Sequence, residues 1–282
     1  MRRVLVTGGS SVVGDYLLPR LAVDGDQVTV FSRRPRIGQD ATWRQADVAR
    51  EPLRGFVSNA DALVHLAPLP LVVPVLPGLP ESVTAIVALG TTSVFTKAEA
   101  RSEPDRRLAE HQLRAEEALR NHCERRGLHY TLLRPTLVYD GRRDKNVTHI
   151  ARFICRLGFF PLASPGKGLR QPLHADDLAA AVYAALEHDG PSHSYNLAGG
   201  ETLSYRAMLE RIFRALGRKP HILPVPLSAY RAVIGVARLH PRFRSLSPDL
   251  ADRMNENLVF DFSDAARDLG FYPRGFEPKF PQ

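Results

Sequence analysis

The stretch VLVTGGSSVVGDYLL, residues 4–18, constrains the fold more than any other part of the chain. A short apolar, β-branched run at 4–7 leads into Gly8, Gly9, two serines, two valines and Gly14, and a helical pattern occupies 13–23. Strand, glycine-rich turn and helix N-terminus in that order bring unpaired backbone N–H donors and the positive end of a helix dipole to one point, where an anion is stabilised. The glycine spacing alone is a weak signal, and the flanking strand and helix are what give it meaning. Val13, Leu17, Leu18 and Leu21 share one face of the helix, but Pro19 inside it deletes a backbone hydrogen bond, so a kink or an early end is expected there.

Beyond this unit, strand-like runs at 27–31, 62–67, 85–89 and 130–133 alternate with helical patterns, which argues for a parallel sheet covered by helices. The longest helix starts at Ser102 or Asp105, carries Glu110–Arg114 and Glu116–Arg120 pairs four residues apart, and stops at Gly127. Leu108, Gln112, Ala115, Leu119 and Cys123 fall on one of its faces, with Gln112 interrupting an apolar stripe. After Pro135 the loops lengthen, and glycine and proline cluster at 158–168 and 217–226. The predicted fold is α/β, a Rossmann-type doubly wound parallel sheet with a smaller, interleaved C-terminal substrate lobe. Residues 1–140 form the nucleotide-binding part, 141–282 mostly the second lobe, and elements from about 171–199, including SHSYNLAGG, return to the sheet.

Several function classes recede on composition. The net charge is +8, almost all of the basic excess is arginine, and the positives are dispersed; an anionic ligand fits, a nucleic-acid face does not. Two cysteines without a CxxC suit a reducing, cytoplasmic setting and give no zinc site. The apolar stretch 62–80 approaches the length of a membrane span, yet five prolines interrupt it, so it reads as a buried strand followed by a Pro-rich connection.

The opening loop resembles the TGxxGxxG loop of the extended short-chain dehydrogenase/reductases, the nucleotide-sugar epimerase and dehydratase group. Gly8 and Gly14 match its outer glycines and Ser11 replaces the middle one, where a Cβ crowds the phosphate and the hydroxyl returns a hydrogen bond. Further matches follow in order: FSRR ending the second strand, Asp47-Val48, His65-Leu66-Ala67, Arg134-Pro135 through Tyr139, PLHADDLAAAV, YNLAGGETLS and DFSDAARDLGFYP. The resemblance implies a dinucleotide held by Gly8, Ser10, Ser11, Val12, Val13 and Gly14, flanked by Asp47, Val48, Leu66, Ala67, Pro68 and Pro135. An acidic residue ending the second strand would bind the ribose 2′-hydroxyl, whereas Ser32, Arg33 and Arg34 suit a 2′-phosphate, so NADP is expected ahead of NAD.

The resemblance also implies a hydroxyl residue after the fifth strand and a Tyr-x-x-x-Lys pair on the next helix, whose lysine lowers the tyrosine pKa for acid–base work. Thr91 matches the hydroxyl. No tyrosine occurs between Val94 and His129 and the only lysine there is Lys97; alignment on Glu116-Glu117-Ala118-Leu119 puts Leu108 and Gln112 where the pair belongs. Thr91 and Lys97 are the substitute catalytic candidates, and Tyr139 and Arg170 the substrate-facing ones, Arg170 for an anionic group. His174 beside Asp176 and Asp177 reads as a helix start rather than a metal site, and His65 as structural. The segment between Ala67 and Thr91 is too short and Pro-rich for the family's crossover helix, which usually helps to form the dimer, so a monomer or a different dimer is expected. The expected function is an oxidoreductase or epimerase-like protein acting on a small oxygenated or nucleotide-sugar-like substrate. The alternative is a non-catalytic NADP(H)-binding regulator or assembly factor.

Overall fold

The alternation of side chains along the first strands decides which face each residue buries. Val4, Val6, Val64, Val87 and Leu133 enter one apolar cluster, while Leu5, Leu63, Ile86, Ala88 and Leu132 enter another on the opposite side of the sheet. Both faces are therefore covered, as parallel strands require. A computed structural model describes all residues except 35, 37–39, 52–56, 101, 239–248 and 282.

In chain order the elements of the first half are β1 (Arg3–Thr7), α1 (Gly14–Val23), β2 (Gln27–Ser32), β3 (Thr42–Gln45), β4 (Ala62–His65), β5 (Ala85–Leu89), α2 (Ser93–Lys97), α3 (Glu103–Arg126) and β6 (His129–Pro135). There follow β7 (Val138–Tyr139), α4 (Val147–Leu157), β8 (Phe160–Ala163), β9 (Leu169–Arg170), β10 (Leu173–His174), α5 (Ala175–Glu187) and β11 (His193–Leu197). The last are β12 (Leu203–Ser204), α6 (Tyr205–Ala215), β13 (Ile222–Val225), α7 (Leu227–Ala237), α8 (Leu250–Arg253) and α9 (Ser263–Leu269).

Seven parallel strands form the main sheet in the order β11-β6-β5-β4-β1-β2-β3. The order reverses between β1 and β4, which leaves a crevice at their carboxyl ends where the chain leaves β1 for one side and β4 for the other. β11 reaches the sheet from beyond the second lobe's first elements and pairs Tyr195 with Leu133. The second lobe has its own core, in which Tyr139, Ile154, Leu162, Met208, Phe213 and Phe276 pack together.

Two expectations are corrected here. Helix α1 continues four residues past Pro19 to Val23, because Leu17, Leu18 and Leu21 bury against the sheet while Pro19 faces solvent; packing outweighs the one missing bond. The stripe on α3 holds at Ala115, Leu119 and Cys123, which are buried, but Leu108 is 43% exposed, because the first turns of the helix bury a different set of residues, Asp105 and Ala109. Between β4 and β5 the chain makes two 3-10 turns, Leu69–Val72 and Leu76–Gly78, whose Leu69, Val72 and Leu76 share the core with α3 residues Ala115 and Leu119. Among the described residues no helix is long and apolar enough to cross a membrane.

Candidate functional site

The phosphate loop is built by three close approaches. Gly8 has φ +73°, and a Cβ there would lie 2.4 Å from the Ala67 nitrogen at the end of β4. A Cβ on Gly9 would come 2.7 Å from Val30, and one on Gly14 would meet the Gly9 carbonyl oxygen at 2.0 Å. Gly8 and Gly14, hemmed in by backbone, admit only glycine, while a Cβ on Gly9 would require the Val30 side chain to shift. Ser11 is different: its backbone avoids positive φ, its N–H donates to the Gly8 carbonyl at 2.9 Å, and its hydroxyl accepts from the Gly14 N–H at 3.2 Å. The replacement of a middle glycine thus costs no backbone strain, and the serine hydroxyl proton stays available to an oxyanion. The cradle fits a dinucleotide diphosphate.

The floor beside the loop is fixed by His65. Its Nδ1 accepts from the Thr7 hydroxyl at 2.7 Å and its Nε2 donates to the Pro68 carbonyl at 3.3 Å, which joins the ends of β1 and β4. Burial pushes its pKa down to about 4, with the Pro68 carbonyl opposing, so it is a neutral structural residue. Leu66 is buried, its N–H donating to the Thr7 carbonyl, and Ala67 lies against Gly8.

At the end of β2, Arg33 and Arg34 are exposed. The Ser32 hydroxyl spans the turn, donating to the Arg34 carbonyl at 3.1 Å and accepting from the Arg34 N–H at 3.3 Å. Val48 is buried, while the Asp47 carboxylate accepts the Ala49 N–H at 3.2 Å. Two further arginines lie on the phosphate loop itself and were not anticipated from sequence. Arg36 donates to Asp15 at 2.6 Å and to the Ser10 carbonyl at 3.0 Å; Arg143, from the loop after β7, bonds Asp15 and the Ser10 and Ser11 carbonyls. For Arg143 a signal existed: DGRRDKN, in which Asp140 accepts the N–H groups of Arg142, Arg143 and Asp144, and Asp144 those of Gly141, Asn146 and Thr148. Burial works against the Asp144 charge, but the Thr148 hydroxyl and these amides hold its carboxyl below the usual range.

Between the carboxyl edge of the sheet and the second lobe lies a cavity of about 280 Å³. Thr91, Thr92, Ser93, Thr96 and Thr136 line it from the sheet side, and Asn146, Arg170, Gln171 and Arg253 from the other. Thr91 Oγ1 donates to Ser93 Oγ at 2.9 Å and accepts the Ser93 N–H at 3.1 Å. Thr92 donates through its N–H and its hydroxyl to the Pro135 carbonyl, at 3.1 and 3.2 Å, and so binds the end of β5 to that of β6. Arg170 is 4% exposed; its guanidinium donates to the carbonyls of Leu169 and Glu256 at 2.7 Å and to that of Arg253, and lies 5.3 Å from the Tyr205 ring. Burial lowers its pKa, and among the described residues no carboxylate sits within salt-bridge reach of it. The buried cation is thus held by three backbone carbonyls and an aromatic face.

Two residues expected at the site fall elsewhere. The Lys97 ammonium is 2.9 Å from Asp105, which also pairs with Arg253 at 3.1 Å, and Lys97 does not line this cavity. It is committed to an ion pair that ties α2 to α3. Tyr139 is 1% exposed, edge-on to His174 and Phe276, with its hydroxyl accepting the Glu277 N–H and its pKa pushed up to about 12 by burial; it packs the second lobe and does not line the cavity. His174 caps α5 by accepting the Asp176 N–H, and Asp176 and Asp177 pair with Arg274. On α3, the Gln112 Oε1 is buried without a hydrogen-bond partner. One turn on, Glu116 makes a bidentate pair with Arg134 of β6, 3.0 Å at the shorter Nε contact, in the space that Gly90 leaves open.

The model of the NAD dependent epimerase/dehydratase family matches residues 4–102 and 79–198. The chain is 24% identical over 306 residues to the uncharacterized protein y4nG of Sinorhizobium fredii (strain NBRC 101917 / NGR234), covering 97% of this chain and 75% of that one. Among solved structures it is similar to the UDP-N-acetylglucosamine 4-epimerase from Bacillus cereus, at TM-score 0.72 and 21% identity over 97% of this chain and 94% of that one. It is also similar to MoeE5 in complex with UDP-glucuronic acid and NAD, at TM-score 0.75 and 20% identity over 98% and 96% of the two chains.

Proposed function

Because the chain belongs to the NAD dependent epimerase/dehydratase family, we propose that it binds a nicotinamide dinucleotide, NADP ahead of NAD, and presents it to a small oxygenated or nucleotide-sugar-like substrate as an oxidoreductase or epimerase-like protein. The observation that carries this reading is the phosphate cradle: Gly8, Gly9 and Gly14 close the turn, and Ser11 keeps a hydroxyl proton for an oxyanion. When bound, the nicotinamide supplies hydride transfer. Ser10, Ser11, Val12 and Val13 line the turn that would hold the diphosphate, with Asp47, Val48, Leu66, Ala67, Pro68 and Pro135 around the remainder. Arg170 orients an anionic substrate group in the cavity, and Thr91, braced by Ser93, holds a substrate oxygen.

The NADP preference rests on Ser32, Arg33 and Arg34. A carboxylate at the end of β2 would accept from a ribose hydroxyl and repel a 2′-phosphate, whereas two exposed guanidinium groups attract it. Calorimetric titration tests this: Arg33→Ala should weaken NADPH roughly tenfold and NADH little, since one charge-assisted contact is lost with the first ligand only. Equal losses for both would contradict the assignment.

One observation favours the second reading, a non-catalytic NADP(H)-binding regulator or assembly factor. The cavity is lined by hydroxyls, amides, two guanidinium groups and apolar side chains, and among its described lining residues there is no carboxyl, imidazole, phenol or amine that titrates near neutrality. With Leu108 and Gln112 standing where the family keeps its Tyr-Lys pair, proton transfer in the usual manner has no agent. Turnover of any substrate that depends on Thr91 would decide for the enzyme.

A further inference from the structure

Asp15 stands in the first turn of α1, where a carboxylate competes with any phosphate for the same helix end. Two arginines from distant segments converge on it: Arg36 on Oδ1 and Arg143 on Oδ2, 21 and 128 residues away. The same guanidinium groups also bond the Ser10 and Ser11 carbonyls. Arg36 is further steadied 5.9 Å from the Trp43 ring, and Arg143 by the hydrogen-bonded turn from Asp140 to Asp144. The three side chains are 34% (Asp15), 41% (Arg36) and 42% (Arg143) exposed, so the ion pairs are solvated and weak, while the positions of the arginines are held independently of them.

We propose that Arg36 and Arg143 form a phosphate clamp over the glycine loop, with Asp15 as its resident counter-ion, and that a phosphate of the dinucleotide takes the place of Asp15 between them. The inference rests on the dinucleotide reading above and adds to it a contribution from each lobe. Removing the Asp15 charge leaves both guanidinium groups without a counter-ion and removes a repulsion, so Asp15→Asn strengthens binding rather than weakening it. Arg143→Gln has the opposite effect. A role for Asp15 in merely positioning the arginines predicts a loss in both variants.

The test is calorimetric titration of the full chain at low salt with ADP and, separately, 2′,5′-ADP, for the parent protein, Asp15→Asn, Arg143→Gln and Arg143→Lys. One unit charge a few ångströms from a phosphate in solvent changes affinity about fivefold, and less as salt rises. The expected result is about fivefold tighter binding for Asp15→Asn, about fivefold weaker for Arg143→Gln, and partial recovery with lysine. A larger Arg143 effect on ADP assigns the clamp to the diphosphate, and a larger effect on 2′,5′-ADP to the 2′-phosphate. Unchanged or weaker binding by folded Asp15→Asn overturns the clamp alone. Absence of binding by every protein, with either probe and with NADPH, overturns the dinucleotide reading with it.

Discussion

Gly8→Ala is expected to destabilise the protein by on the order of 3 kcal/mol and to lower its melting temperature by roughly 6–12 °C. Two costs combine. The residue sits at φ +73°, where a Cβ is strained, and that Cβ would lie 2.4 Å from the Ala67 nitrogen and 2.7 Å from the Leu66 carbonyl carbon. Neither backbone atom can move without separating the end of β4 from the loop, so the phosphate cradle opens and dinucleotide affinity falls with the stability. Gly25 provides the control, since its φ is +75° but nothing lies within 4 Å of its ideal Cβ. Gly25→Ala should cost only the backbone strain, about 1 kcal/mol. Equal melting temperatures for the two variants would refute the close approach of loop and strand.

The second large effect is in the pH dependence of stability. The His65 pKa is about 4 in the folded chain against 6.5 when exposed, so on acidification the unfolded state takes up the proton first. Its contribution is fully present above pH 6.5 and is lost as pH falls toward 4, amounting to about 3 kcal/mol. Other groups titrate as well, so the diagnostic quantity is a difference. The free-energy gap between the parent protein and His65→Gln, from denaturant unfolding, should shrink by about 3 kcal/mol between pH 7 and pH 4. A gap that stays constant over this range would mean that His65 is not buried as a neutral imidazole.

Where local chemistry and packing agree, the fold is legible from sequence. The strand–glycine–helix unit, β5, and the span of α3 from Ser102 to Gly127 at φ +63° follow directly from composition and spacing, although the Ser102 hydroxyl makes no capping hydrogen bond. Ser102 precedes Glu103 and Asp105 in the first turn, and Gly127 takes the left-handed conformation that ends the helix. Disagreements arise where tertiary contacts outweigh local rules. Pro19 fails to end α1 because the leucines beside it are anchored in the sheet. Lys97 looks available in a sequence, but Asp105, eight residues on, lies across the α2–α3 junction and captures it.

The candidate site was legible in proportion to how local it is. The loop glycines, Thr91 and Arg170 could be read from motifs, and all but the loop line the cavity between the lobes. Asn146 and Arg253 come from segments far apart in the chain, and no periodicity announces that they face Thr91. Arg36 and Arg143 belong to the same category: one follows β2 and the other β7, and only the folded chain brings both to Asp15. The absence of a tyrosine from α3, by contrast, is plain in the sequence.

The most direct test of the central claim is the melting temperature of the full chain with NADPH, NADP+, NADH and no ligand. A ligand present at 100 times its dissociation constant stabilises by about 2.7 kcal/mol, which is roughly 5–10 °C for a chain of this size. The account predicts such a rise with NADPH and NADP+ and a smaller one with NADH at the same concentration. A melting temperature unmoved by all three would contradict it.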